Sequence, residues 1–491
     1  MHSLVLWRAP ALAGLLLAGC AVGPDYQRPA AVLPATFSEA PVAALGSAAG
    51  WKPAEPRDQA VRSDWWTLFG DERLDGLEAM IDGSNQTLKQ AEANFRSARA
   101  MVRFNRAAEL PTVGAAPYAG LDRLSAHQPY FSAAAANGGD TELSLPLDLN
   151  YEIDLWGRIH RGATAARDQA QAAAADQETV RLALHSELAI DYFNLRSAIA
   201  LQRLLDDTVQ AYEKALHLTQ DRYDGGAAPL SDVAQAKTQL EEARVQAADI
   251  AVQRAAYEHA IAVLIGQAPD TAPIGVGSLM THAPALPQIP GMLPSDLLER
   301  RPDVASAERH MAAANEQIGI ARAAFYPTLS LSATAGFLGT SAANWFVWPS
   351  RFWAVGPTLS QTLFDNGRRR ASSEIAQASY DNTVAGYRQS VLGAVQDVQD
   401  NLAALRELTT ESDRQHAATT AAHQTLDLFQ TRYEGGVDTY LQVITWQTAF
   451  LQNQRNDIDL LRRRLEATVL LVKALGGGWN ASRLPSVAAL P

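Results

Sequence analysis

The chain repeats itself at a constant offset of 210 residues, and this duplication limits the folds that it can adopt. The segment Arg222-Tyr223-Asp224-Gly225-Gly226 returns as Arg432-Tyr433-Glu434-Gly435-Gly436. A further match, Arg106-Ala107-Ala108 against Arg322-Ala323-Ala324, falls at an offset of 216. Solenoid repeats have periods of roughly 20–50 residues, so this is the duplication of a whole architectural half. The sequence therefore predicts two copies of one unit, in the order helix, strand, strand, helix, helix.

The first residues have the layout of a bacterial lipoprotein signal. Arg8 supplies a positive charge, residues 9–18 form a short apolar stretch, and Leu17-Ala18-Gly19-Cys20 has the form of a lipoprotein cleavage box. Cys20 is the only cysteine in the chain. We expect Cys20 to carry an S-diacylglycerol and an N-palmitoyl group after residues 1–19 are removed. Ala21 is not the aspartate that retains lipoproteins at the inner membrane, which favours the outer membrane. An ordinary signal peptide with an incidental cysteine is the alternative.

Charge and composition exclude several classes of protein. The formal net charge of −12 becomes −13 when the signal and its one arginine are removed, which argues against nucleic acid as a partner. One cysteine permits no intramolecular disulfide, and no run of 18 apolar residues predicts a transmembrane helix. The proline-rich residues 20–60 are expected to form an extended, lipidated linker.

Period-two alternation predicts four membrane-spanning strands, one hairpin in each repeat. In residues 143–155 the odd positions are apolar and the even positions are mostly polar, and residues 327–338 alternate in the same way. Residues 111–121 and 352–364 are weaker candidates. Strands of a soluble sandwich are the alternative for any one segment, but four strands of membrane-spanning length favour the membrane. Aromatic residues near the second hairpin fit a membrane interface: Trp345, Phe346, Trp348 and Trp353.

Very long helices follow the hairpins. Residues 157–224 and 367–434 contain no proline, and a helix of either length reaches roughly 100 Å. Shorter helices are predicted from near residue 229 to 265 and from near 439 to 475. Their apolar rows at seven-residue spacing are typical of helices that supercoil around neighbours. The Gly-Gly turns join each long helix to its shorter partner, so both turns lie at the end opposite the strands.

The number of strands requires several chains to assemble. The smallest transmembrane barrels use about eight strands, so four strands cannot close one. Unpaired strand edges are not tolerated in lipid. Several copies must therefore share one barrel, with their helices forming a hollow cylinder below it.

Segments spread over the chain carry a resemblance to a known family: Gly23-Pro24-Asp25-Tyr26, Trp65-Trp66, Asp154-Leu155-Trp156-Gly157-Arg158, Leu297-Leu298-Glu299-Arg300-Arg301-Pro302-Asp303, Ala324-Phe325-Tyr326-Pro327-Thr328-Leu329, Leu363-Phe364-Asp365-Asn366-Gly367-Arg368-Arg369 and Lys473-Ala474-Leu475-Gly476-Gly477-Gly478-Trp479. In these residues the chain resembles the TolC-like outer-membrane factors, in the lipoprotein branch often called NodT-type. The resemblance implies a mainly α fold, in which a homotrimer builds a twelve-stranded barrel and a coiled-coil periplasmic tunnel. It also implies export of drugs or other small molecules, with an inner-membrane pump and a periplasmic adaptor as partners.

The resemblance further implies a gate at the periplasmic tip. Tyr433 matches the family's turn tyrosine, Leu441 matches a constricting leucine, and Asp232 matches an acidic residue common in the first repeat. Thr445 and Thr448 stand where relatives often carry an aspartate and an arginine, so we expect closure to depend on packing rather than on a charged latch. Three acidic residues at the tip either attract cations to the entrance or are ordinary solvated turn charges: Asp224, Glu434 and Asp438.

The predicted organisation has six parts: a signal peptide (1–19), a lipidated linker (20–60), a first efflux repeat (61–270), an equatorial linker (271–294), a second efflux repeat (295–478) and a C-terminal tail (479–491). No catalytic case emerges, because the ten histidines lack metal-ligand spacing and no Gly-rich loop follows a strand. Neither an enzyme nor a cofactor is therefore expected. The alternatives are an outer-membrane duct for protein secretion and, less favoured, a structural envelope lipoprotein, which would not need strands with a polar face.

Overall fold

Two helices of 67 residues dominate the computed structural model of the chain, which describes residues 22–30, 33–34, 36–39, 64–123, 125, 140–269, 274–281, 284, 287, 296–486 and 489–490. The helices are α1 (Glu72–Ser84), α2 (Gln86–Ala107), α3 (Arg158–Asp224), α4 (Leu230–Leu264), α5 (Leu297–Arg300), α6 (Pro302–Ala323), α7 (Ala342–Trp345), α8 (Arg368–Glu434) and α9 (Tyr440–Ala474). The strands are β1 (Thr112–Ala115), β2 (Tyr118–Asp122), β3 (Asp140–Ile153), β4 (Thr328–Gly339) and β5 (Arg351–Ser360). The predicted signal peptide, Cys20 and most of the linker lie outside the described residues.

The helix predictions are confirmed within one residue at every end. Both long helices begin after a glycine in the left-handed region, Gly157 with φ 76° and Gly367 with φ 84°, where a side chain would be strained. The predicted apolar rows are largely buried, for example Leu188 and Leu195 on α3 and Ala236 on α4. At about 1.5 Å per residue each long helix spans roughly 100 Å.

The shorter helices stack end to end beside the long ones. The buried Asn85, between α1 and α2, donates from Nδ2 to the carbonyl oxygen of Leu264 at 2.8 Å, so α4 ends where α2 begins. In the second repeat Arg301 donates from Nη1 to the carbonyl oxygen of Ala474 at 3.2 Å, so α9 ends where α6 begins. Within its own repeat each long helix therefore packs against two shorter helices, α2 and α4 beside α3 and α6 and α9 beside α8, and α6 also packs against α3.

The strands form one antiparallel sheet at the end where α3 and α8 begin. The strand order is β1-β3-β4-β5, and β2 pairs with β3 beyond β1. The predicted strand 111–121 is therefore two segments along one partner. The break falls at Ala116-Pro117, and proline cannot donate a ladder hydrogen bond. Within the chain β1 and β2 form one edge of the sheet and β5 forms the other.

Two further strand boundaries differ from prediction. The strand predicted over 143–155 starts three residues earlier, at Asp140, and stops at Ile153. The last strand was predicted to reach residue 364 but ends at Ser360. Leu363 and Phe364 are apolar, yet they lie exposed beyond the end of β4, which pairs with β5 only as far as Thr328. The strand was predicted too long because Leu363 and Phe364 are apolar, but β4 has no residue left to pair with them.

A buried polar group lies in the core around the middle of α3. His185 Nδ1 lies 2.6 Å from Oε2 of Glu78 on α1, and its ring stacks on Trp66 with centroids 4.4 Å apart. Burial lowers the pKa of His185 to about 4, and burial raises the pKa of the Glu78 carboxyl above its usual range. This buried contact between His185 and Glu78 holds α1 against α3.

The first described residues follow the outside of the helices from the sheet downwards. The amide of Val22 donates to the carbonyl oxygen of Trp156 at 3.2 Å, at the junction between β3 and α3. The carbonyl oxygen of Pro24 accepts from Asn315 at 3.1 Å and from Arg161 at 3.4 Å. Arg161 also forms a buried ion pair with Glu316 of α6, with an N–O distance of 2.7 Å. This segment therefore covers a charged pair that links the two repeats.

None of the helices in the described part of the chain is both long and apolar enough to cross a membrane.

Candidate gate at the helix tips

Both Gly-Gly turns have the same geometry at the end opposite the sheet. Gly226 and Gly436 have φ of 77° and 74°, and no atom would contact a Cβ added at either position. Glycine is therefore required by the backbone angle rather than by space. The amide of Val437 donates to the carbonyl oxygen of Arg432 at 2.9 Å, which closes the last turn of α8. The two hairpins thus end in equivalent tight turns.

Tyr433 is buried between the two hairpins. Its side chain is 8% exposed and packs with Ala236 of α4 and with Tyr440, whose ring centroid is 5.3 Å away. The guanidinium of Arg222, at the end of α3, lies over the Tyr433 ring at 4.6 Å from its centroid. The Tyr433 hydroxyl has no hydrogen-bond partner within the described chain. The ring, rather than the hydroxyl, therefore links α8 to the first repeat.

Leu441 faces away from this cluster. Its side chain is 54% exposed, although Tyr440 beside it is buried. An exposed leucine contributes little to the fold of one chain, because its apolar surface remains in water. The position leaves Leu441 available to meet a neighbouring copy or the axis of an assembly, as a constricting residue must.

Asp232 lies in the first turn of α4, near the tyrosine pair. Burial raises the pKa of Tyr440 to about 12, and the neighbouring Tyr433 and the charge of Asp232 add to the increase. Tyr440 therefore stays protonated, and its hydroxyl hydrogen-bonds with Thr219 of α3. Tyr440 and Tyr433 thus bring α9 and α8 into contact with the first repeat, and Asp232 lies close to this contact.

The three predicted tip acids differ in their surroundings. Asp438 forms an ion pair with Arg432 across the second turn, so its charge is largely neutralised. Asp224 accepts a hydrogen bond from the Gln220 amide at 3.0 Å, and Glu434 accepts one from Gln430 at 3.4 Å. Both of these carboxylates lie at exposed helix ends without an ion-pair partner in the described part of the chain. The acidic field at the tip therefore comes mainly from Asp224 and Glu434.

Aromatic side chains pack between α8 and α9 near the second Gly-Gly turn. Thr445 donates to the carbonyl oxygen of Leu441 in its own helix at 2.8 Å, so its hydroxyl is not directed at another element. Three ring pairs join α8 to α9, with centroids 5.3, 6.0 and 4.8 Å apart: Tyr433 with Tyr440, Phe429 with Trp446, and His423 with Phe450. The first repeat has Thr219 and Ala236 where the second has Phe429 and Trp446. These pairs were not predicted from the sequence, although aromatic residues lie on both sides of the second Gly-Gly turn.

Among the described residues, no cluster of three or more His, Cys, Asp or Glu side chains is arranged to hold a metal ion.

Comparison with known proteins gives concordant matches over nearly the whole chain. A family model described as outer membrane efflux protein matches residues 80–267 and 293–477. The toluene efflux pump outer membrane protein TtgF of Pseudomonas putida is 33% identical over 474 residues, covering 96% of this chain and 97% of TtgF. The outer membrane protein OprJ of Pseudomonas aeruginosa is 33% identical over 478 residues, covering 96% of each chain. A crystal structure of a membrane protein from Pseudomonas aeruginosa superposes with a TM-score of 0.83 at 31% identity, covering 94% of this chain and 99% of the other.

Proposed function

The chain belongs to the outer membrane efflux protein family, and from this premise we propose that three copies form one export duct joined to a periplasmic adaptor and an inner-membrane pump. The protein is an efflux channel of the outer membrane and not an enzyme. Its fold combines a helical tunnel with a membrane sheet.

The observation that supports the trimer is the pair of open sheet edges. Within one chain neither the β1/β2 edge nor the β5 edge has a partner strand among the described residues. Unpaired backbone groups are costly in lipid, so each edge needs the opposite edge of another copy. Three copies with four strand positions each give a barrel of twelve, within the known range for outer-membrane barrels.

We propose small organic molecules as the exported class. The relative TtgF is named for toluene efflux, and toluene is a small organic molecule. In such a duct the energy and the choice of substrate come from the pump, while the channel supplies a path. No feature of the described residues favours the alternative of protein secretion over small-molecule export.

The adaptor contact is testable by cross-linking at the tip. Val437 lies on the second Gly-Gly turn and is 68% exposed, whereas Leu392 lies on the middle of α8 and is 53% exposed. In cells of the native host we expect Val437→Cys to give a channel–adaptor adduct with a short bifunctional thiol–amine reagent, identified by mass spectrometry. Leu392→Cys is the matched control and should give little of it. If efflux stays normal and Val437→Cys gives no adduct, the tip is not the adaptor contact.

We propose that a lipid on Cys20 anchors each copy. Cys20 is outside the described residues, but Val22, only two residues later, is hydrogen-bonded to Trp156 at the junction between sheet and helices. An acyl chain on Cys20 would therefore start at the depth of the inner leaflet surface. We expect labelled palmitate to enter the wild type but not Cys20→Ser, with both proteins present in equal amounts. Equal labelling of the two would place the lipid elsewhere.

We also propose that the gate consists of Leu441, Tyr433 and Asp232, with Asp224 and Glu434 supplying the acidic field and Asp438 paired. We propose residues 61–270 and 295–478 as the two repeats, and the two family matches at residues 80–267 and 293–477 support this division.

A further inference from the structure

The register of the sheet assigns each strand residue to one of two faces. Leu147 lies opposite Ala335, which lies opposite Trp353, so these three side chains share a face. Their neighbours Asp148 and Thr334 lie on the other face. Because lipid-facing residues of a membrane barrel are apolar and lumen-facing residues are polar, the face of Leu147 is the lipid face.

Arg351 is the single charged residue on that lipid face within the described strands. It lies opposite Phe337, which lies opposite Leu145, so its side chain shares their side of the sheet. It is the first residue of β5, at the end remote from α3 and α8. Since those helices are periplasmic, Arg351 lies at the level of the outer leaflet's surface.

The guanidinium of Arg351 is held in a fixed orientation by its own loop. Nε donates to the carbonyl oxygen of Trp348 at 2.9 Å, and the guanidinium lies over the Trp348 ring. The two terminal nitrogens have no protein acceptor in the described part of the chain. The indoles of Trp348 and Trp353 are 74% and 76% exposed. The guanidinium of Arg351 therefore lies against one exposed indole, and a second exposed indole, that of Trp353, is on the same face of β5.

A bound anion would offset the remaining cost of a charge on the lipid face. Charged side chains on this face are costly, and the cost falls only towards the interface. Glu142 of β3 is paired with Gly120 and lies on the lumen face. Within one copy, no acidic residue of the described strands shares the face of Arg351, which leaves its charge available to a lipid phosphate.

We propose that Arg351, Trp348 and Trp353 form a binding site for the phosphate-bearing headgroup of an outer-leaflet lipid, one site in each copy. The paired terminal N–H groups of arginine match two phosphate oxygens. The indoles lie at the depth where tryptophan is enriched in membrane proteins. The apolar residues of β3 and β4 below the site would contact the acyl chains of the same lipid.

The test is native mass spectrometry of detergent-purified trimers incubated with diphosphoryl lipid A. We expect the wild type to retain up to one lipid per copy and Arg351→Gln to retain roughly tenfold less, the size expected from losing a charge-assisted hydrogen-bonded pair. Arg388→Gln, on the exposed periplasmic part of α8, removes the same charge far from the sheet and should bind like the wild type. Trp348→Ala keeps the charge of Arg351 but removes the indole ring on which the guanidinium lies, and it should also weaken binding.

Three outcomes would overturn the site. Equal lipid retention by wild type and Arg351→Gln would exclude Arg351, and equal loss in Arg388→Gln would show a general charge effect. Binding of inorganic phosphate in place of lipid A at equal concentration would show a site for a free anion rather than for a lipid headgroup. Single-channel conductance should be unchanged in Arg351→Gln, so failure of this site is distinguishable from failure of the channel function.

Discussion

We expect Leu441→Ala to raise the open probability of the reconstituted channel by roughly tenfold or more. Leu441 is half-exposed in one copy, so its truncation should not unfold the chain. In the assembly three such leucines would meet at the tip, and fully burying one leucine is worth about 1.5–3 kcal/mol. Losing even part of this burial free energy in each of three copies destabilises the closed state and so favours the open state. Single-channel recording in planar bilayers measures the change.

Tyr433 should contribute to closure through its ring. Tyr433→Ala removes the contacts with Tyr440 and Arg222 and should also raise the open probability, whereas Tyr433→Phe removes only a hydroxyl without a partner and should behave like the wild type. The double variant Leu441→Ala with Tyr433→Phe should therefore match Leu441→Ala alone.

Leu392→Ala is the matched control for the gate, because Leu392 on α8 is 53% exposed against 54% for Leu441 but lies far from the tip. It should leave conductance unchanged. If Leu392→Ala opens the channel as much as Leu441→Ala, the effect is a general loosening of the helices. If well-formed trimers of Leu441→Ala stay closed, the constriction lies elsewhere.

Breaking the buried ion pair between the repeats should give the largest loss of stability. We expect Arg161→Met to lower the free energy of unfolding by about 3–5 kcal/mol, because it leaves the Glu316 carboxylate buried without its partner. The side chains of this pair are only 7% and 11% exposed, and the N–O distance is 2.7 Å. The midpoint of thermal unfolding of the purified trimer would fall accordingly.

The same helix offers a control for this prediction. Arg158 pairs with Glu152 at 2.8 Å, but the two side chains are 43% and 30% exposed, so Arg158→Met should cost no more than about 1 kcal/mol. The double variant Arg161→Met with Glu316→Met should recover much of the loss, because no buried charge remains. Equal costs for Arg161→Met and Arg158→Met would contradict the assignment.

Most of the architecture could be predicted from local patterns. Proline-free segments bounded by glycine gave the ends of α3 and α8 within one residue, since helix length and termination depend on nearby residues. Alternation located all four strand positions for the same reason. The interrupted first strand was also foreseeable, because Pro117 lies in the middle of the predicted segment.

Contacts between distant residues could not be predicted in this way. Arg161 and Glu316 lie 155 positions apart on helices whose charges otherwise look like solvated faces. Asp438 was predicted as a tip charge, and its pairing with Arg432 depends on how tightly the turn closes. Whether such a charge is exposed, buried or neutralised depends on which side chains the fold brings next to it. Local sequence patterns do not show these neighbours.

The two unlike edges of the sheet also determine how a damaging mutation in one copy affects the whole trimer. In a ring of three copies each one presents its β5 edge to one neighbour and its β1/β2 edge to the other, so no copy is dispensable. If half of the copies in a cell carry a damaged edge and mix at random, only roughly one ring in eight is free of damage. When a copy with a damaged edge is co-expressed with the intact protein, its defect should therefore be dominant, whereas halving the expression of the intact protein would only halve the number of channels.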